Sequence, residues 1–244
     1  MKIELHIPGL SKKKGKNYCT AVLVAAGSSS RMQGTDKILT DISGEPVLAH
    51  TIRCFEQNPL IDDIILVVRE DRREAVSAMV LRYGFSKIRG ITLGGETRTA
   101  SVMAGLDLAS PETTHAAIHD GARPLVTQSV ITEAVETAFR TGAAAPAVPV
   151  KDTIKVADRN VVTATPNRSS LFAVQTPQVF DFDLLRGALQ KVLEGGGALT
   201  DDCAAVEALG MKVHLTQGDE ENIKVTTPLD LVVAEAILER RQRL

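Results

Sequence analysis

Short runs of apolar, often β-branched residues alternate along the chain with longer segments whose apolar residues recur every three to four positions. The short runs are typical of buried strands, and the longer segments are typical of amphipathic helices. We predict strands at 21–25, 64–68, 87–92, 116–119, 144–148 and 212–215. Because strands that alternate with helices indicate a parallel sheet joined by crossover helices, the predicted fold class is α/β.

Helix boundary signals support this alternation. Gly84 and Gly142 follow two of the amphipathic segments directly, in the position where glycine commonly ends a helix. The final helix is predicted to begin after Thr227 as N-cap, with Pro228 at its first position. The other predicted helices are 46–57, 73–83, 97–108 and 128–141.

One segment departs from the alternation. Residues 153–156 and 161–164 flank the polar stretch 157–160, which predicts a β-hairpin that no helix covers. Two strands alone are only marginally stable in water, so we expect this arm, at about 150–166, to pack on a second subunit in a homodimer. The alternative is that the hairpin lies on its own domain.

Composition limits the choice of function. With 244 residues, 44% of them hydrophobic, the chain can form one large domain with a full core. A net charge of -2 and an aromatic content of 3% argue against a nucleic-acid partner. No apolar stretch approaches the roughly 18 residues of a membrane span. Three widely separated cysteines favour reduced thiols and a cytoplasmic location. We expect an N-terminal extension at 1–18 and one domain at 19–244.

The loop after the first predicted strand carries phosphate-binding chemistry. Ala25, Ala26 and Gly27 let a ligand approach the backbone closely, and Arg31 and Lys37 supply the positive charge that a polyphosphate requires. A Walker loop and a dinucleotide fingerprint both fit badly, because the residues that define them are absent. The loop therefore predicts a nucleotide site, with an ordinary solvated connection as the alternative.

Other strand ends carry related chemistry, and ligands of open α/β sheets bind beyond the carboxyl ends of the strands. Gly94 and Gly95 open a helix that also carries Ser101. Asp120 ends a strand and is suited to Mg²⁺ or a ribose hydroxyl, while Arg123 can bind an anionic group.

Three further features are less specific. Segment 176–180 predicts a rigid turn after a strand at 171–175, and Lys224 lies just ahead of the last helix. His115 and His119 would lie about 13 Å apart on a strand, too far to share one metal ion. We therefore expect His119 to be packed or to support the site from behind.

Taken in order, these segments resemble the cytidylyltransferases of the non-mevalonate isoprenoid pathway, which join 2-C-methyl-D-erythritol 4-phosphate to CTP. The resemblance runs from about Cys19 to the last helix. It is carried by 25–27 with Arg31, Met32 and Lys37, by Gly94, Gly95, Arg98 and Ser101, and by 119–124, 152–155, 175–180, 200–202 and 222–226.

The resemblance implies a Rossmann-like nucleotidyltransferase fold, with a mostly parallel sheet flanked by helices and a protruding β-hairpin arm. It implies Mg²⁺ as cofactor and a homodimer whose arms reach the partner's site. The residues it assigns to CTP are Ala25, Ala26, Gly27, Gly95, Glu96, Ser101 and Asp120, with Asp120 also near the metal. The catalytic set it implies is Arg31 and Lys37, which stabilise the transition state, and Arg168 and Lys224, which position the acceptor. Acceptor binding is assigned to Arg123, Thr153, Thr176 and Thr200.

Three alternatives remain at this point. A ribitol-5-phosphate cytidylyltransferase shares the loop at Gly27 and the turn at 175–178, although segments 119–124 and 200–202 favour the isoprenoid enzyme. A non-catalytic nucleotide-binding regulator has no need for all four catalytic cations. An NAD-linked oxidoreductase is disfavoured by the missing fingerprint glycines.

Overall fold

A mixed eight-stranded sheet lies at the centre of the computed structural model, which describes residues 16–27, 36–196 and 199–243. The strands are β1 (Cys19–Val24), β2 (Asp41–Ile42), β3 (Glu45–Pro46), β4 (Asp63–Val68), β5 (Ile88–Leu93), β6 (His115–Asp120), β7 (Ala143–Pro149), β8 (Val156–Asp158), β9 (Val161–Ala164), β10 (Phe172–Val174), β11 (Gln178–Asp181) and β12 (His214–Gln217). The helices are α1 (Val47–Glu56), α2 (Arg73–Tyr83), α3 (Arg98–Leu106), α4 (Gln128–Thr141), α5 (Phe182–Gly195), α6 (Asp202–Glu207) and α7 (Pro228–Gln242).

The strand order is β10-β7-β11-β6-β1-β4-β5, and β12 pairs with β7. β1 runs parallel to β4 and β6, and β4 runs parallel to β5. β11 runs antiparallel to both β6 and β7, and β10 runs antiparallel to β7. The predicted α/β class and the mostly parallel sheet are therefore confirmed, with the carboxyl ends of β1, β4, β5 and β6 at one edge.

The six predicted strands are present within one or two residues of their expected positions. Segment 176–180 was expected to be a rigid turn, and this is wrong in its second half. The Thr176-Pro177 peptide bond is cis, and the chain then continues directly into β11. This strand exists because its backbone fills the gap between β6 and β7, which is a long-range pairing rather than a local preference.

Helices cover both faces of the sheet, as an apolar parallel sheet requires. On β1 the side chains of Ala21 and Leu23 face one core, which α1, α4 and α7 help to form. Val22 faces the opposite core, which α3, α5 and α6 help to form. Because side chains alternate along a β-strand, β1 contributes to both hydrophobic layers and holds the sheet between them.

The predicted hairpin is present as β8 and β9, which pair antiparallel. Its first strand begins at Val156 rather than 153, and its tight turn is Arg159-Asn160, where φ is 46° and 67°. Residues 151–165 are all exposed, including Val161 and Val162 at 67% and 55% exposure. The arm therefore does not bury its apolar side chains on its own chain.

Part of the chain is not covered by these statements. Residues 1–15 of the predicted extension lie outside the described residues, whereas the Tyr18 backbone N–H donates to Thr114 Oγ1 at 2.9 Å beside the start of β6. Within the described ranges, none of the helices combines the length and the apolar character that crossing a membrane would demand.

Candidate active site

Two adjoining cavities open at the carboxyl ends of β1 and β6. The larger has a volume of about 360 Å³ and is lined, among others, by the predicted residues Ala25, Ala26, Gly27, Lys37, Gly95, Glu96, Ser101, Asp120 and Lys224. The smaller has a volume of about 170 Å³, and its lining includes the predicted residues Asp120, Arg123, Thr176, Thr200 and Lys224. Arg98, Asp120 and Lys224 border both cavities. The fold therefore brings together two cavities that share one charged wall.

Small residues form the floor of the larger cavity. A Cβ added to Gly94 would lie 2.3 Å from the Cβ of Ala26, so a side chain at this position cannot fit without displacement. The Gly95 backbone N–H donates to Ser101 Oγ at 3.1 Å, and that hydroxyl donates to Thr97 O at 2.9 Å. These bonds fix the start of α3 beside the cavity.

Lys37 stands in a short anchored turn. Arg72 Nε lies 2.6 Å from Asp36 Oδ2, and the Thr40 hydroxyl donates to the Asp36 carbonyl at 2.7 Å. Ile38, on the other side of Lys37, is 4% exposed and belongs to the core. The backbone of Lys37 is therefore held from both sides. Arg31, predicted to act with it, lies outside the described residues.

Asp120 forms the negative centre of the shared wall. Its Oδ2 lies 3.0 Å from Lys224 Nζ and 3.1 Å from Arg123 Nε. Burial alone would raise the pKa of this carboxyl, but the adjacent Lys224 and Arg123 outweigh burial and lower the pKa to about 2. The carboxylate is therefore ionised throughout the neutral range, and both cations contact the same oxygen.

This arrangement fits a magnesium ion that is carried by a nucleotide. In proteins Mg²⁺ keeps several waters and commonly takes one or two carboxylates plus substrate phosphates, rather than a full protein cage. Within residues 16–27, 36–196 and 199–243, no three His, Cys, Asp or Glu side chains form such a cage. The ionised carboxylate of Asp120, which lines the larger cavity, is of the type that this mode uses.

His119 and Thr176 support the wall from behind. The Thr176 hydroxyl accepts the Asp120 backbone N–H at 3.2 Å and lies 2.9 Å from His119 Nδ1. Because His119 Nε2 lies 3.2 Å from the carbonyl of Arg123, which can only accept, we assign the ring proton to Nε2. Burial lowers the pKa of His119 to about 4, so the ring is neutral and packs against Phe55. His119 is thus a packed residue beside the site, as expected.

Two predicted acceptor residues lie outside both cavities in this chain. Arg168 Nη1 donates to the Lys151 carbonyl at 2.6 Å, at the base of the arm. Thr153 is exposed on the segment that leads into β8. The single chain therefore does not bring these two side chains to the wall at Asp120.

A buried network of hydrogen bonds and one ion pair lies beside the wall, and no role was predicted for it from the sequence. Arg98 Nη2 lies 2.6 Å from Asp202 Oδ2, and the Asp202 side chain is 1% exposed. Burial raises the pKa of the Asp202 carboxyl, and the nearby Arg98 opposes this shift. Gln178 Oε1 accepts the backbone N–H groups of Asp202 and Cys203 at 3.1 and 3.2 Å. In the sequence, Arg98 and segment 200–202 contributed to the family resemblance, but no spacing connected Arg98 with Asp202.

Comparison with known proteins agrees with this geometry. The sequence profile of the 2-C-methyl-D-erythritol 4-phosphate cytidylyltransferase family matches residues 19–240. A protein of that description from Desulforamulus reducens is 49% identical over 225 residues, which cover 91% of this chain and 96% of that protein. Another from Caldanaerobacter subterraneus subsp. tengcongensis is 46% identical over 224 residues, covering 91% of this chain and 99% of that protein.

Solved structures give the same result. The crystal structure of a 4-diphosphocytidyl-2C-methyl-D-erythritol synthase from Anaerococcus prevotii superposes with a TM-score of 0.83 at 30% identity, covering 91% of this chain and 96% of that one. A Thermus thermophilus 2-C-methyl-D-erythritol 4-phosphate cytidylyltransferase gives a TM-score of 0.72 at 30% identity, covering 89% and 98%. The resemblance inferred from the ordered segments is confirmed, and the chain belongs to the 2-C-methyl-D-erythritol 4-phosphate cytidylyltransferase family.

Proposed function

We propose that the two adjoining cavities are the site at which this enzyme transfers the cytidylyl group of CTP to 2-C-methyl-D-erythritol 4-phosphate. The products are 4-diphosphocytidyl-2-C-methyl-D-erythritol and pyrophosphate. The observation that carries this proposal is the wall of Asp120, Lys224 and Arg98 that both cavities share. A reaction between two phosphate groups requires such a boundary, with a donor space on one side and an acceptor space on the other.

The larger cavity would hold CTP. Its small lining residues Ala26 and Gly95 would admit the nucleoside, and Glu96 and Ser101 offer polar groups. Gly94 lies behind this lining, in close contact with Ala26 and Ser101. Ala25 and Gly27 line the side from which the loop toward Lys37 departs. We assign the triphosphate to that side, because a lysine ammonium is suited to bind phosphate oxygens.

The smaller cavity would hold the acceptor. Arg123 and Lys224 provide positive charge for its phosphate, while Thr176 and Thr200 offer hydroxyls to its polyol part. The Thr176 hydroxyl donates its proton to His119 Nδ1. Toward the polyol of the substrate, Thr176 would therefore only accept a hydrogen bond.

The reaction needs little covalent chemistry from the protein. An oxygen of the acceptor phosphate forms a bond to the α-phosphorus of CTP, and the bond from that phosphorus to the bridging oxygen breaks. The electron pair leaves with pyrophosphate. The phosphate monoester already carries a nucleophilic oxygen, so no activated serine or cysteine is required. Lys37 and Lys224 would stabilise the charge that develops on the phosphoryl oxygens, together with Arg31 from the loop outside the described residues.

Asp120 would hold a divalent cation with the CTP phosphates, and the cation would screen their charge when bound. The ion pairs with Lys224 and Arg123 keep this carboxylate ionised and fixed in orientation. The same pairs tie the two acceptor cations to the donor side of the wall.

The homodimer and the cytoplasmic location also belong to this proposal. The arm exposes apolar residues on β8 and β9 and carries Thr153 at its base, while Arg168 lies next to Lys151. Pairing with a second copy would bury that surface and could bring Thr153 and Arg168 toward a partner's acceptor cavity. Their place outside both cavities of the single chain supports this arrangement.

The direct test is pyrophosphate release from CTP and Mg²⁺ in three reactions, with methylerythritol phosphate, with ribitol 5-phosphate and without acceptor. We expect release only with methylerythritol phosphate. Lys37→Ala should lower turnover by about 100-fold, as loss of one preorganised charge-stabilising group does in other enzymes. Lys191→Ala is the matched control, because it also removes a lysine, here an exposed one on α5. Its turnover should equal that of the wild type. Turnover with ribitol 5-phosphate alone would overturn the assigned acceptor.

A further inference from the structure

Arg98 occupies a special position in the wall between the cavities. It is the first residue of α3, directly after the N-cap Thr97, and its side chain borders both cavities. The Arg98 side chain is 31% exposed, and its Nη2 lies 2.6 Å from Asp202 Oδ2, whose side chain is 1% exposed. One end of the guanidinium is thus anchored in the protein interior, while the residue itself lines the space where ligands meet.

Asp202 is held in place by Gln178 of β11. Its backbone N–H donates to Gln178 Oε1 at 3.1 Å, and Gln178 Nε2 donates to Asp201 Oδ2 at 2.9 Å. Gln178 lies on β11 opposite Ile118 of β6. A continuous set of contacts therefore connects the strand that ends at Asp120 with the start of α3.

Physical considerations argue against a purely stabilising role for this ion pair. A buried ion pair often contributes no more stability than well-packed apolar residues of similar volume, because desolvation offsets the attraction. Arginine also carries five N–H donors in a planar fork, of which the Asp202 contact uses one end. A guanidinium that is anchored at one end and borders two ligand cavities at once is arranged to bind phosphate oxygens.

We propose that Arg98 is an additional phosphate-binding residue at the boundary where the donor and acceptor phosphates meet, and that Asp202 is the positioning residue that holds its guanidinium there. This inference rests on the proposed function of the two cavities and assigns a further part of the same site. The ligand chemistry is that of two phosphate groups brought together, so the contact matters more in the reaction than in binding of either substrate alone.

The test compares kcat and KM of three variants with the wild type, using CTP and methylerythritol phosphate. Asp202→Asn removes the anchoring charge and should lower kcat by about 100-fold, the cost of a small misplacement in a reacting site. KM for CTP should change by less than about threefold, since the contact is made chiefly in the transition state. The double variant Arg98→Met with Asp202→Leu replaces the pair by apolar residues and should keep a near wild-type melting temperature.

That double variant separates the two roles of the pair. If the ion pair only stabilises the fold, the well-folded double variant regains wild-type kcat, and this result overturns the inference. If the pair positions Arg98, kcat stays low although the protein is stable. Asp107→Asn is the matched control, because Asp107 forms an ion pair with Arg186 at 2.9 Å at the other end of α3. Its kinetics should be those of the wild type.

A third variant keeps the test decisive if the double variant does not fold. Arg98→Lys retains the positive charge but not the planar fork, and we expect its kcat to fall by roughly tenfold or more. A folded Arg98→Lys enzyme with wild-type kcat would overturn the inference. A wild-type enzyme that releases no pyrophosphate with methylerythritol phosphate would instead overturn the proposed function, so the two failures are distinguishable.

Discussion

The ammonium of Lys224 lies 3.0 Å from Oδ2 of Asp120, which joins the segment before α7 to the end of β6. Arg123 contacts the same oxygen and also donates to the Asn222 carbonyl at 2.7 Å. These contacts make one charged unit of two segments that are far apart in the sequence. The unit is at once part of the site and part of what holds the last helix against the sheet.

The Asp120 carboxylate should therefore contribute to stability in a pH-dependent way. Its pKa falls from the ordinary value of 3.8 to about 2 on folding, which corresponds to on the order of 2 kcal/mol. Because the folded pKa is the lower one, this contribution is present above about pH 4 and is lost as the pH falls toward 2. We expect Asp120→Asn to be less stable than the wild type at pH 7, with a difference that shrinks across that window.

Urea unfolding at a series of pH values measures this difference. Asp158→Asn, in the exposed arm, serves as the matched control and should match the wild type at pH 7. A difference between Asp120→Asn and the wild type that stays constant from pH 7 to pH 2.5 would contradict the ion pairs as its source.

His119 predicts a second pH effect in a different window. Burial lowers its pKa from 6.5 to about 4, so the unfolded chain binds this proton more readily than the folded one. Stability from the neutral ring is complete above about pH 6.5 and is lost as the pH falls toward 4, by on the order of 3 kcal/mol. His119→Leu should be less stable at pH 7, because Thr176 and the Arg123 carbonyl lose their partner.

The slope of unfolding free energy against pH isolates this residue. Burial also lowers the pKa of His115, but that ring is present in both proteins and contributes equally. Between pH 6.5 and 4, unfolding of His119→Leu should therefore take up fewer protons than unfolding of the wild type, by up to one. The slope of its unfolding free energy against pH should be smaller by that amount. Equal slopes in the two proteins would mean that His119 is not a buried neutral ring.

The sequence could predict the parts of the site that lie directly after strands. Hydrophobic periodicity located β1 and β6, and the carboxyl-end rule for ligands then indicated Gly27 and Asp120 without any tertiary information. Gly94 and Gly95 were found in the same way, from two glycines that precede a helix. Gly27, Gly95 and Asp120 do line the larger cavity, because each prediction rests on residues that are neighbours along the chain. Their roles in binding CTP stay predictions.

What escaped prediction depends on contacts between distant segments. The strand at Gln178–Asp181 has only four residues, and its pairing with β6 and β7 is what makes it a strand. Arg98 and Asp202 each look like ordinary charged residues near a helix start, and no spacing in the sequence identifies them as partners. The arm was predicted from local sequence, and residues 151–165 are exposed in the single chain.

The close approach of Gly94 to Ala26 leads to a third prediction. A methyl group at residue 94 would lie 2.3 Å from the Ala26 Cβ and 2.9 Å from Ser101 Oγ, so the floor of the larger cavity must shift. Overpacking of this kind costs about 1–3 kcal/mol, and we expect Gly94→Ala to bind CTP about tenfold or more weakly. Isothermal titration with CTP and Mg²⁺ measures the affinity.

Gly187→Ala is the control for this substitution. A Cβ at this exposed position of α5 meets no atom within 4 Å, so the change should leave CTP affinity unaltered. It should also stabilise the protein by about 0.5–1 kcal/mol, because alanine is the better helix former. Unchanged CTP affinity in Gly94→Ala would show that the nucleotide does not use this floor.

The exposed arm gives the last prediction. Val161 and Val162 are adjacent on β9 and point to opposite faces, and both are more than half exposed, so charging both blocks apolar contacts on either face. We expect the wild type to sediment as a dimer and the variant Val161→Glu with Val162→Glu to sediment as a monomer at micromolar concentration. The variant chain should still fold, and its melting temperature should fall only by the amount that dimerisation contributes. The reason is that the arm adds no buried side chain to its own core.

Leu81→Glu controls for the loss of an exposed apolar side chain, because Leu81 is 82% exposed on α2 and lies outside the arm. This variant should remain dimeric and active. If arms complete the partner's acceptor cavity, the monomeric arm variant should also lose turnover and raise KM for the acceptor, while its affinity for CTP stays near that of the wild type. A monomeric variant with full activity would show that each chain carries a complete site, and a monomeric wild type would remove the arm from the assembly.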